Sequence, residues 1–172
     1  TDERYPMMVE LFARAPDRLQ PVAGSQLTPI PLDDALSSLS AILLDEDYYA
    51  FIMAGRREIE GLFCVGEDRL IPLKAIAWMD LSQRREQGAA VDAKDVRKHL
   101  SDALRLSQLL APATRISVAT KIADDMARFL ALVAADTAID PKALQLGKVT
   151  VAELVARIAQ AYGIALPGRD AV

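Results

Sequence analysis

The sequence predicts a predominantly helical α+β protein, with a few strands in its first third and a bundle of helices after them. Hydrophobic residues make up 52% of the 172 positions but aromatics only 5%, so the core is built mainly from Ala, Leu, Ile and Val, the composition of packed helices. From Leu70 onward, apolar positions recur at three- and four-residue spacing through several long segments. Before that point the apolar runs are short and punctuated by Pro and Gly. The organisation this suggests is a strand-containing unit over residues 1–66 and a helical region over residues 67–172.

Taken in order, Tyr5-Pro6-Met7-Met8-Val9-Glu10-Leu11-Phe12-Ala13 reads as a strand. It is met so early, behind Thr1 rather than an initiator Met, that an upstream segment is expected. Between Arg14 and Asp33 stand four prolines, two of them flanking Ile30, which exclude a helix interior and predict a connecting arm. Ser37 to Leu44 is a short apolar run ending in Asp45-Glu46-Asp47. Asp47 is expected to cap a short helix through Tyr48, Phe51 and Met53, closed by Gly55. Ile59 to Gly66 returns as a strand or hairpin.

Leu70 to Arg85 is apolar nearly all round, which predicts a helix at the centre of the fold, broken by Gln87-Gly88. Asp92-Ala93-Lys94-Asp95 resembles a capping box and should open a helix running to about Leu110, with Val96, Leu100, Ala103, Leu104 and Ser107 facing inward. Arg115 to Ala134 carries Ile116, Ala119, Ile122, Ala123, Met126, Phe129, Leu130 and Val133 at helical spacing. Thr150 with Glu153 caps a last helix, Val151 to Tyr162, stopped by Gly163.

Charge and composition narrow the function classes. A net charge of -4 and a pI near 5.0 argue against binding nucleic acid or membrane through global charge, although a local basic patch can still hold a phosphate backbone. Cys64 is the single cysteine, so no intramolecular disulfide can form. Its apolar neighbours Phe63 and Val65 suggest a buried thiol in a reducing compartment. No run approaches the roughly 20 apolar residues of a membrane span, and the cytoplasm is the expected location. Walker, HExxH, GxSxG, paired CxxC and GxGxxG patterns are missing, which disfavours common ATPases, zinc proteases, serine hydrolases and Rossmann enzymes.

Lys74 is the most informative position. Its helical neighbours at i+3, i+4 and i+7 are Ala77, Trp78 and Leu81, so a cation is set into an apolar face. Such an ammonium needs a carboxylate or a phosphate, or else must snorkel to water. On the next helix Asp92, Asp95, His99 and Asp102 share one side within about 80° at 100° per residue. Asp95 and the lone histidine His99, at i and i+4, could bind a divalent metal or position a proton acceptor. Lys94, Arg97, Lys98 and Arg105 interleave, so a solvated, salt-bridged face explains the pattern equally. Glu10 in mid-strand is a candidate metal ligand or a solvent-facing acid. Asp45 and Asp47 have a D-x-D spacing that suits a metal pair, although a capping role accounts for Asp47.

The runs Leu70-Ile71-Pro72-Leu73-Lys74-Ala75-Ile76-Ala77-Trp78-Met79-Asp80-Leu81, Arg84-Arg85-Glu86-Gln87-Gly88 and Val91-Asp92-Ala93-Lys94-Asp95-Val96-Arg97-Lys98-His99, with Asp102, resemble the AbiEii/AbiGii family of nucleotidyltransferase toxins. Tyr5 to Phe12 and Ser37 to Asp45 look like it too, and the resemblance spans roughly residues 5 to 110. It implies a polymerase-β-like core that transfers a nucleotide from an NTP, with Mg²⁺, to an acceptor that in relatives is the 3′ end of tRNA, often with a cognate antitoxin as partner. Lys74 and Asp95 match the family's downstream lysine and aspartate, with Lys74 also the contact to the NTP. Glu10 stands beside them as a third candidate acid, a metal ligand by its mid-strand position rather than by a family match.

The family's Gly-Ser and D-x-D element precedes the strand holding Glu10, so the expectation is a C-terminal portion that is inactive alone. Gly24-Ser25 with Asp33-Asp34 imitates that element, but Pro29 and Pro31 prevent a phosphate-binding helix from starting there. The alternative expectation is a non-catalytic helical interaction module or antitoxin-like partner, in which Lys74 is paired to Asp95.

Overall fold

The computed structural model describes residues 45–144 and 146–166. The expectations for Tyr5–Ala13 with Glu10, for the proline-rich arm with its Gly-Ser and paired-Asp imitation, and for the run from Ser37 to Leu44 lie outside the described residues. Within them the protein is mainly helical with one small sheet: α1 (Glu46–Ala54), β1 (Arg56–Ile59), β2 (Leu62–Val65), α2 (Glu67–Glu86), α3 (Ala93–Ser107), α4 (Thr120–Ala135) and α5 (Val151–Tyr162). No described helix is long and apolar enough to cross a membrane.

Asp45, not Asp47, caps α1. Its Oδ1 accepts from the backbone N–H groups of Asp47 at 3.1 Å and Tyr48 at 3.3 Å, two donors that the first turn of a helix leaves unpaired. Asp47 is thereby released to the first turn, where its charge suits the positive end of the helix. Gly55 closes α1 as expected.

The hairpin expected from Ile59 begins earlier, with Arg56 opposite Val65 and Ile59 opposite Leu62 in antiparallel register. Its two-residue connection, Glu60 and Gly61, takes positive φ at both positions (52° and 78°), the backbone twist that matches paired strands. Both faces of β2 meet solvent. Leu62, Phe63 and Cys64 are all exposed, so the expected burial of Cys64 is corrected: among the described residues β2 pairs with β1 alone and its thiol faces solvent. Arg56 lies over the Phe63 ring at 4.1 Å, and Arg57 ties the hairpin to the start of α2 through Asp68 at 3.0 Å.

α2 starts three residues earlier than its apolar pattern begins, at Glu67, and it is buried on nearly every side as expected. It also runs straight through Pro72. Proline has no N–H to donate to the carbonyl four residues back, here that of Asp68. That carbonyl accepts instead from the Tyr162 hydroxyl at 2.7 Å, across 94 residues of chain. Tyr162 is buried, and burial raises the pKa of its hydroxyl, which keeps it a donor. The last helix thus repairs a hydrogen bond that the central helix cannot make for itself.

α3 follows the expected stripe, with Leu100, Ala103, Leu104 and Ser107 buried, but ends at Ser107 rather than near Leu110. α4 begins at Thr120 rather than Arg115: residues 115–119 lie outside any helix, Ala119 is extended, and Ile116 donates to the Ala161 carbonyl of α5 at 2.8 Å. α5 is as expected: Thr150 and Glu153 form a full capping box, and Gly163 ends the helix in the left-handed conformation. Tyr48, Phe51 and Ile52 of α1 join Ile71, Leu73, Met126, Phe129, Leu154 and Ile158 in one core, and the Tyr48 hydroxyl donates to Asp125 on α4 at 2.9 Å.

Replacing Tyr162 by Phe should lower the unfolding free energy by about 1–3 kcal/mol, because the Asp68 carbonyl is left without a partner. In a Pro72→Ala background, where residue 72 regains its N–H, urea denaturation should show a smaller loss. Equal losses in the two backgrounds would reject the link between Pro72 and Tyr162.

Candidate functional site

The polar feature of the interior lies where α2 meets α3. Ala77, Trp78 and Leu81, the helical neighbours of Lys74, are all buried. Trp78 meets Phe129 of α4 edge-to-face, with ring centroids 5.5 Å apart and planes at 84°. Lys74 shares this face and is itself only 8% exposed. An apolar helix surface therefore carries its ammonium into the interface, as the spacing predicts.

The carboxylate facing it belongs to Asp102. Lys74 Nζ lies 3.7 Å from Asp102 Oδ2, with the aspartate side chain 29% exposed. Pairing of Lys74 with Asp95, the arrangement expected for an interaction module, is replaced by a partner two turns further along α3. At 1.5 Å rise per residue, that shift carries the contact about 10 Å down the helix. Asp102 lies on the expected carboxylate side, and its spacing of three from His99 was the signal that could have singled it out.

His99 stands between the two aspartates on the same face of α3. It is 3% exposed, and its Nδ1 is shut off from solvent with no hydrogen-bond partner among the described residues. Burial holds its pKa below the ordinary 6.5, and the nearby Lys74 cation pushes in the same direction, as Lys98 does. Asp102 and Asp95 pull it back up. The imidazole is therefore neutral at pH 7. Asp95 itself is half-buried in the first turn of α3, where the helix dipole favours a carboxylate.

Other sequence candidates separate from this cluster. Asp92 is exposed and spent as the cap of α3, accepting from Lys94 N–H at 2.8 Å rather than from the position a full capping box would use. Asp45 caps α1 and is also bonded to Lys121, which holds its carboxyl below the usual range. Among the described residues no three His, Cys, Asp or Glu side chains are arranged to hold a metal ion. Glu10 lies outside the described residues. Lys74, His99, Asp102 and, at the edge, Asp95 are what the fold brings together.

Searches for similar proteins matched no family model, no curated protein and no solved structure.

The single histidine makes the cluster measurable by NMR. Lys74→Met should raise the His99 pKa, because a nearby positive charge is removed, whereas Asp102→Asn should lower it further. Below about pH 6.5 the unfolded chain binds the proton more readily than the folded one. The stability owed to neutral His99 is therefore intact above that pH and declines as pH falls beneath it. A His99 titration unchanged in both variants would show that the three side chains are not coupled.

Proposed function

We propose that this chain is the C-terminal part of a cytoplasmic, toxin-like nucleotidyltransferase of the AbiEii/AbiGii type, transferring NMP from an NTP to an acceptor of the tRNA class. The observation that supports this reading is the desolvated ammonium of Lys74, set in a helix interface 3.7 Å from the Asp102 carboxylate. In a water-poor interface a cation attracts anions far more strongly than on the surface. A polyphosphate brings several negative oxygens where Asp102 brings one carboxylate, so it can displace Asp102 from Lys74.

On this reading Lys74 binds and orients the triphosphate, and its charge offsets the negative charge that builds up on the leaving phosphates. Asp95, at the positive end of α3, faces the reaction from the same side as the proposed acidic group completing the site. Mg²⁺, which would neutralise phosphate charge when bound, enters only through the family resemblance. The described residues offer no metal-holding group, so no step is assigned to it, and Glu10 remains its proposed ligand. The Gly-Ser and D-x-D element would come from upstream sequence, which is why the chain alone is proposed to be inactive.

A specific observation favours a second reading, a non-catalytic interaction module or antitoxin-like partner. The hairpin exposes Ile59 (59%), Leu62 (73%) and Phe63 (60%) on a sheet that has two strands among the described residues, the kind of surface proteins use to contact others.

The two readings separate on activity. Each labelled NTP is incubated with total tRNA and Mg²⁺, with either this chain or a longer reading frame carrying an upstream Gly-Ser and D-x-D element. The longer protein should label tRNA, Lys74→Ala should reduce labelling by roughly 10²–10³-fold, and the chain alone should give none. No labelling by the longer wild-type protein, with every NTP, rejects the nucleotidyltransferase.

A further inference from the structure

We propose that His99 is a second anion contact of the Lys74 site, its Nδ1–H donating to an oxygen of the same polyphosphate that Lys74 holds. The inference rests on the nucleotidyltransferase reading and names the group that would share the triphosphate with the lysine. It starts from an unexplained atom. His99 is 3% exposed and its Nδ1 is buried with no partner among the described residues, although buried polar nitrogens are nearly always bonded.

The neighbourhood decides what that partner can be. Among the described residues the charges acting on the imidazole are Lys74 from α2, and Asp95, Lys98 and Asp102 from its own helix. A metal cation is disfavoured beside a buried ammonium. An anion is favoured, because it gains from Lys74 and from an N–H donor at once. His99 is neutral, so it presents a donor without a second positive charge that would have to be desolvated beside the lysine. Asp102 is 29% exposed, the most open of the three side chains, so its carboxylate can turn to water when an anion takes its place. Lys74 and His99 then form a two-point grip on adjacent helices, one charged and one neutral.

The probe is sodium tripolyphosphate, the phosphate chain of a nucleotide without its base, added to the full chain. The single imidazole gives unambiguous NMR signals, and the control variants are Lys74→Met, His99→Leu and His99→Asn. Asn keeps an N–H donor near the position of Nδ1, whereas Leu removes it. The expected result is that tripolyphosphate shifts the His99 signals, that His99→Leu and Lys74→Met each weaken binding by roughly tenfold or more, and that His99→Asn restores most of it. Binding that depends on Lys74 but is unchanged in His99→Leu, with the imidazole signals unmoved, overturns the role of His99 and leaves the nucleotide reading standing. Binding indifferent to Lys74, or none, overturns the two-point grip, whereas the nucleotidyltransferase reading stands or falls on tRNA labelling by the longer protein. Should His99→Leu fail to fold, His99→Asn and the wild-type imidazole shifts decide: an unmoved imidazole overturns the proposal, and a shifted one with binding retained in Asn supports it.

Discussion

α2 is enclosed on nearly all sides, and a helix in that position can carry a polar group only if some other element answers it. Two places on α2 break the apolar rule. At one, Pro72 withholds a donor and the Asp68 carbonyl is met by Tyr162 from the far end of the chain. At the other, Lys74 brings in a charge and α3 supplies Asp102. Both answers come from later helices, so the packing of α3 and α5 on α2 is specified by polar contacts as well as by apolar area. The alternative, leaving a buried carbonyl or ammonium unmatched, would cost about as much as several well-packed methyl groups contribute.

Much of this architecture was legible in the residues. The central helix announced itself through an apolar surface that wraps all the way round, and the last helix through the Thr150 and Glu153 pair with Gly163 behind it. Errors fell where two residues competed for one task. Asp45 and Asp47 are both good caps, and only the backbone path shows that Asp45 holds the two N–H groups. Ile116 and Ala119 fit a helical stripe, yet the helix starts only at Thr120, and Ile116 finds its hydrogen bond on α5 instead of in a first helical turn. Cys64 looked buried by its neighbours, but among the described residues its strand has one pairing partner and its side chains are exposed.

The candidate site was half legible for a related reason. Spacing places Lys74 on an apolar face and Asp95, His99 and Asp102 on one side of the next helix, and the structure keeps that arrangement. Spacing cannot say at what height two helices meet. The offset between α2 and α3 selects Asp102 over Asp95 as the ion-pair partner, and it encloses His99. The family resemblance pointed to Lys74 and Asp95 as residue types in order. Packing adds that the lysine lies beside Asp102 and close enough to His99 for its charge to lower the imidazole pKa, which ties the charge on one helix to the protonation of the other.

Trp78 lies one turn from Lys74, on the same buried face, and is the chain's lone indole. Its edge-on seat against Phe129 joins α2 to α4, so the colour of its emission reports on the dryness of the surroundings that the lysine shares. The protein thus carries its own optical gauge of that compartment. Loosening of the central helix, from heat, acid or a ligand prising the interface apart, registers as a red shift without any attached dye.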